Sequence, residues 1–154
     1  MKIILYFILL GYLATACQKT DQPAEASSGP PSIEGSWELV ENRVNGKVTK
    51  PRRAEQFKMF HDGFFSFIMY NPDGSFHGAG SGTYTLDGNQ YTEKFRYYSD
   101  TAWVGYSDVQ SWELKDDTLL FSGFKKVLDR NGKEMAADTW GGDRFVEKRV
   151  RSKP

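Results

Sequence analysis

The stretch Tyr91-Thr92-Glu93-Lys94-Phe95-Arg96-Tyr97 sets one carboxylate among aromatic rings. In an extended chain successive side chains point to opposite faces, so Tyr91, Glu93, Phe95 and Tyr97 share one face. If that face looks inward, the carboxylate must be paired or protonated, because an isolated buried charge is costly. A polar group held in an aromatic lining suits the recognition of a small, partly apolar molecule. The same alternation places Gln110 and Trp112 on a face with Leu114, sets Tyr84 between Gly82 and Leu86, and joins Arg144 to Val146. If these faces line one interior, the candidate ligand contacts are Tyr84, Glu93, Tyr97, Gln110, Trp112 and Arg144. Two plainer readings stand beside this one. Aromatic stripes commonly fill a small barrel, and Glu93 with Arg144 or Arg96 would serve as a structural ion pair.

Acid–base chemistry has little to work with. His61 lies beside Asp62 at a turn, and His77 sits in a glycine-rich stretch. An isomerase or hydrolase would need one of them within reach of Glu93 inside a cleft. No Ser-His-Asp order, phosphate-binding loop, dinucleotide fingerprint or metal-ligand spacing is present, so neither catalysis, a cofactor nor a metal is expected. Lys plus Arg and Asp plus Glu both number 20, giving zero net charge. That balance offers no electrostatic reason for a nucleic-acid partner.

The elements that must position these residues read as strands. Aromatics make up 15% of the chain and glycines number 15, a mixture that suits short strands joined by tight turns. Strand-like runs cover 32–44, 55–62, 64–70, 82–86, 90–98, 108–115, 118–128 and 142–150, with loops at 71–82 and 129–138. Asp62-Gly63 and Asp87-Gly88-Asn89 are hairpin signals. No helical period persists over three turns. The expected fold is all-β, an antiparallel up-and-down barrel of about eight strands, with an open sandwich as the alternative.

The N-terminus has a different character. Lys2 precedes an apolar run from residue 3 to 16 that is shorter than the ~20 residues a membrane-spanning helix needs. Residues 1–16 read as a secretory signal. Ala14-Thr15-Ala16-Cys17 resembles the bacterial lipobox, with the usual leucine displaced to Leu13. The resemblance implies a diacylated Cys17 at a new N-terminus, and anchoring by several acyl chains is stable. An ordinary signal with an incidental cysteine is the alternative. Gln18 rather than aspartate follows the cysteine, which by the lipoprotein sorting rule implies the outer membrane, facing the periplasm or the cell surface. Residues 18–21, Gln-Lys-Thr-Asp, also resemble a surface-export signal. Residues 17–32 lack large apolar side chains and read as a tether reaching roughly 20–25 Å from the lipid. The folded domain is expected over 33–154.

Gly35-Ser36-Trp37 at the start of that domain resembles the first-strand Gly-x-Trp of lipocalins. With Asp62-Gly63-Phe64 and Gly82-Thr83-Tyr84, the likeness is to bacterial lipocalin-like domains of lipoproteins and covers most of residues 33–150. It implies a structural Trp37 capped by an arginine of the last strand, here Arg149 or, second, Arg144. An inward Arg144 is similar to the carboxylate-binding arginine of fatty-acid-binding proteins, although Val146 stands where their tyrosine would be. The expected partner is a small hydrophobic or amphipathic molecule, with the membrane met only through the N-terminal lipid. A filled barrel contacting a protein or glycan is the rival, and residues 97–106 are the expected source of an exposed aromatic patch.

Overall fold

The computed structural model describes residues 32–51 and 55–153. The expected signal sequence, Cys17 and the tether up to residue 31 lie outside the described residues. Nine strands follow one another: β1 Gly35–Val44, β2 Lys47–Thr49, β3 Gln56–His61, β4 Phe64–Tyr70, β5 Phe76–Asp87, β6 Gln90–Tyr98, β7 Ser107–Lys115, β8 Thr118–Leu128 and β9 Val146–Arg151. All neighbours are antiparallel and in sequence order, and β9 returns to pair with β1. β2 is a short flap hydrogen-bonded only to β1, so β1 and β3–β9 form a closed eight-stranded barrel. Closure leaves the barrel strands no long free edge.

Turn chemistry makes this succession possible. Asn45-Gly46 and Asp62-Gly63 hold φ values of 52° and 80°, and of 48° and 74°. Two consecutive positive φ angles give the turn whose twist matches that of paired strands. The stretch expected as a loop over 71–82 becomes strand from Phe76 onward. Gly78, Gly80 and Gly82 within it are inner-face positions, whereas Gly74 does mark a turn. A Cβ on Gly80 would meet the Phe67 ring at 2.8 Å, and one on Gly82 would meet the Lys94 carbonyl oxygen at 1.9 Å. Rings from β4 therefore lie over bare backbone of β5, a close approach only glycine allows. The last strand starts at Val146, not 142, because Trp140, Gly141 and Gly142 all have positive φ and cannot extend it.

One end of the barrel, the base, is filled. Trp37, Phe60, Phe65, Tyr91, Leu119 and Phe121 are all 2% exposed or less. Phe60 meets Tyr84 edge-on at 5.2 Å, and Tyr91 meets Phe121 at 4.7 Å. Ser32 and Ile33 cross this end, where Ile33 is buried and its carbonyl accepts the Trp37 indole N–H at 2.7 Å. Arg151, not Arg149, covers Trp37, its guanidinium carbon 4.2 Å from the ring centre. The register decides this: Trp37 stands opposite Arg151, and Leu39 opposite Arg149. Arg151 also donates to the Glu34 and Ser32 carbonyls at 2.9 and 3.2 Å, fastening the entering chain. Arg144, the second expected cap, is exposed in the turn before β9.

Candidate ligand site in the upper barrel

Above the filled base lies a cavity of about 280 Å³. Its wall is aromatic. Phe67 and Phe95 meet edge-on at 6.2 Å, and Tyr98 stands 5.5 Å from Phe95. Across the cavity Trp140 gathers Trp103 at 5.3 Å and Phe124 at 5.4 Å, while Phe124 lies 4.3 Å from Phe145. Trp140 holds φ 56° and ψ 19°. A bulky residue keeps such a left-handed conformation only where its surroundings over-determine it. Here ring contacts from β6, β8 and the β6–β7 connection do so.

The floor is polar. Lys58 of β3 reaches Glu93 of β6 at 2.5 Å, both side chains being less than a tenth exposed. Four rings of the base surround the Lys58 ammonium, Phe65 at 4.8 Å and Tyr91, Phe60 and Phe121 at 5.3–5.5 Å. Ring faces carry negative partial charge, so this setting favours a buried cation. The Tyr91 hydroxyl also donates to Glu93. Burial, then the neighbouring Glu93 charge, drives the Tyr91 hydroxyl pKa well above the ordinary tyrosine value. On β9, Glu147 accepts from Arg149 at 2.6 and 3.0 Å, and Arg149 donates to Gln56 as well.

Asp108 stands apart from these pairs. It is the cross-strand neighbour of Glu93 and is 1% exposed. Gln110 donates to its Oδ1 at 2.7 Å, while its Oδ2 has no hydrogen-bond partner among the described residues. Burial, then the facing Glu93 charge, raises its pKa well above the ordinary aspartate value, and the Gln110 hydrogen bond and Lys58 offset this only in part. Arg149 Nη1 is the other lining atom without such a partner. Unsatisfied buried polar atoms are rare in folded proteins, and these two sit in one cavity. Among the described residues no three His, Cys, Asp or Glu side chains converge as metal ligands do.

Of the sequence-derived contacts, Glu93 and Gln110 line this cavity. The other four lie elsewhere. Tyr84 is in the base, its hydroxyl donating to Glu34 at 2.9 Å. Tyr97 points outward and is 71% exposed, because an extra residue, Arg96, interrupts the β5–β6 ladder between Phe95 and Tyr97. The bulge reverses the alternation and turns Tyr98 inward instead. Trp112 packs against the base core and donates its indole N–H to the Gly88 carbonyl at 3.0 Å. Arg144 belongs to the irregular turn before β9, and inward cations come from Lys58 and Arg149. The partner of Glu93 is therefore a lysine, not Arg144 or Arg96.

Lys58, Asp108, Glu147 and Trp140 escaped the sequence reading. Lys58 could have been found, since by alternation it shares a face with Phe60 and Gln56 of β3. Asp108 shares the face of Gln110 by the same rule. Nothing local marks Trp140. Within residues 97–106 Tyr97 is exposed, but Tyr98 and Trp103 line the cavity and Tyr106 packs on Trp103 at 5.2 Å. His61 pairs at the surface with Glu34 at 3.5 Å, and His77 lies 3.0 Å from the Asn71 side chain. Neither lines the cavity.

No family model matches the chain, and no curated protein matches its sequence. Solved structures do match. A lipocalin-like protein from Bacteroides uniformis superposes with a TM-score of 0.53 at 16% identity, covering 78% of this chain and 98% of that one. The fold is lipocalin-like. An uncharacterized protein from Bacteroides eggerthii superposes with a TM-score of 0.52 at 16% identity, covering 79% of this chain and all of that one. At this identity the likeness concerns the fold, and the lipocalin-like barrel is a scaffold on which the lining residues are this chain's own.

Proposed function

We propose that this chain is a lipid-anchored lipoprotein of the bacterial outer membrane. In this reading it binds a small, partly apolar molecule in its barrel and performs no chemistry on it. The observation that carries the reading is the cavity: an aromatic wall over a floor with two polar atoms left to be satisfied. Such a combination is the usual composition of a small-molecule site, and about 280 Å³ lies just below the usual range of roughly 300–1,000 Å³, which restricts the site to a small molecule. The lipobox-like Ala14-Thr15-Ala16-Cys17 supports the anchor.

The test uses protein extracted gently from membranes, analysed by native mass spectrometry, and then titrated with the neutral dye N-phenyl-1-naphthylamine. Trp103 and Trp140 line the cavity, so a bound molecule should alter tryptophan fluorescence. A one-to-one adduct or saturable single-site dye binding is expected. Neither appearing would overturn the reading.

A contact module is the second reading, favoured by the outer surface of β3–β6. Met59, Phe64 and Tyr97 are 44%, 52% and 71% exposed around a shallow depression. Phe64→Ser with Tyr97→Ser separates the two. Dye binding should persist in that variant, whereas a contact module would lose its cross-links to envelope neighbours.

A further inference from the structure

Resting on the reading that the upper barrel binds a ligand, the polar floor narrows what that ligand is. Every charged group of the floor but one has its counter-ion. Lys58 serves Glu93, and Arg149 serves Glu147. Asp108 has only the neutral Gln110, and it is almost wholly enclosed by the barrel. Fully ionised, the floor carries one negative charge beyond its cations. Its free oxygen belongs to a cavity-lining residue beneath the rings of Phe95, Phe124 and Trp140.

We infer that the ligand is a small amine with an apolar or aromatic body, its ammonium seated on Asp108 Oδ2. Such a ligand brings the floor to neutrality and supplies donors to the unpartnered acceptor. Its cationic end would also meet ring faces, which attract cations and disfavour anions. A hydroxyl, ether or carbonyl oxygen on the same molecule would satisfy Arg149 Nη1. A carboxylate ligand is the competing chemistry, since Arg149 offers it a donor. It would leave the floor with an unbalanced negative charge even with Asp108 protonated. It would also bring a third carboxylate beside Glu93 and Glu147.

The inference has a protonic consequence. Asp108 on β7 faces Glu93 and Tyr91 from β6, Lys58 from β3, and Glu147 and Arg149 from β9. Its partner across β8 is the apolar Val127. Burial, Glu93 and Glu147 hold Asp108 protonated over a raised range, against the pull of Lys58 and Gln110. An arriving ammonium stabilises the carboxylate and expels its proton. Amine affinity therefore rises with pH until Asp108 is ionised in the free protein.

Three probes of one skeleton test this: 2-phenylethylamine, 2-phenylethanol and 3-phenylpropanoate. Each is titrated calorimetrically into the full-length protein from about pH 6 to about pH 8, in buffers of different ionisation enthalpy. The amine should bind about 10-fold or more tighter than the alcohol at the upper pH, with proton release, and the carboxylate should bind weakest. Asp108→Asn should lower amine affinity by about 10-fold or more, erase the preference for the amine over the alcohol, and abolish the proton release. Tightest binding of the carboxylate, or an amine preference unchanged in Asp108→Asn, overturns the inference. If none of the three displaces a saturably bound N-phenyl-1-naphthylamine, the amine inference falls and the cavity reading stands. If the dye does not bind either, the underlying reading falls with it.

Discussion

Removing either member of the Lys58–Glu93 pair should destabilise the barrel severely. The two groups are 2.5 Å apart with 8% and 6% of their side chains exposed. At an effective dielectric of about 20, opposite charges at that distance attract by roughly 6–7 kcal/mol, a gain set against the desolvation of both. Glu93→Gln keeps the shape and can still accept from Tyr91, but it deprives the Lys58 ammonium of its hydrogen-bonded counter-ion in a setting of ring faces. Lys58→Met leaves the Glu93 carboxylate beside Asp108 without a cation. Each single change strands a buried charge and should cost about 3–5 kcal/mol. The double variant strands neither and should cost far less than the two together. Denaturant midpoints of the four proteins, with slopes compared to check that unfolding stays two-state, give the coupling directly. Single costs under about 1 kcal/mol, the range of exposed pairs, would refute the claim that this pair is held out of water. So would strict additivity in the double variant.

Three further outcomes are expected. Trp37→Ala should cost about 3–5 kcal/mol by opening a hole in the base. A double-mutant cycle should couple Trp37 to Arg151 by about 0.5–1 kcal/mol and show no direct coupling to Arg149. Asp108→Asn should raise stability in the ligand-free protein at neutral pH. The folded protein holds the Asp108 proton more tightly than the unfolded chain, so the native contribution is full below the ordinary aspartate range near ~3.9 and is lost as pH rises through the raised folded value. The advantage of the variant should therefore shrink toward about pH 4, as urea titrations across pH would show. Cys17→Ser should abolish palmitate labelling and leave an unanchored product. Equal labelling of both proteins, or none in either, sinks the lipoprotein assignment.

Much of the barrel was legible because period-two alternation and turn residues are local signals. Asp62-Gly63 marked a hairpin, and alternation grouped Glu93 with Tyr91 and Phe95, three residues that are indeed buried together inside the barrel. What failed was non-local. The bulge at Arg96 depends on how β5 and β6 pair, and it moved the inward position from Tyr97 to Tyr98. Glu147, Arg149 and Arg151 share one face of β9, so periodicity alone could not tell which arginine meets Trp37. Only the β1–β9 register, with its irregularity between Leu39 and Glu41, selects Arg151. Counter-ions across a barrel are likewise a matter of register. Lys58 and Glu93 are 35 positions apart, and neither residue's neighbours point to the other. Trp140 enters the cavity from an irregular segment, for which no period exists to be read.

The filled base bears on which way the binding cavity faces. Ser32 and Ile33 join the barrel at the base, fastened there by Arg151, while Tyr98, Trp103 and Trp140 line the cavity toward the opposite end. A lipid on Cys17 would hold the protein by that base. The cavity rings would then lie at the end of the barrel opposite that attachment. Cargo from the aqueous phase would reach Tyr98, Trp103 and Trp140 without first passing the point where the anchored segment joins the barrel.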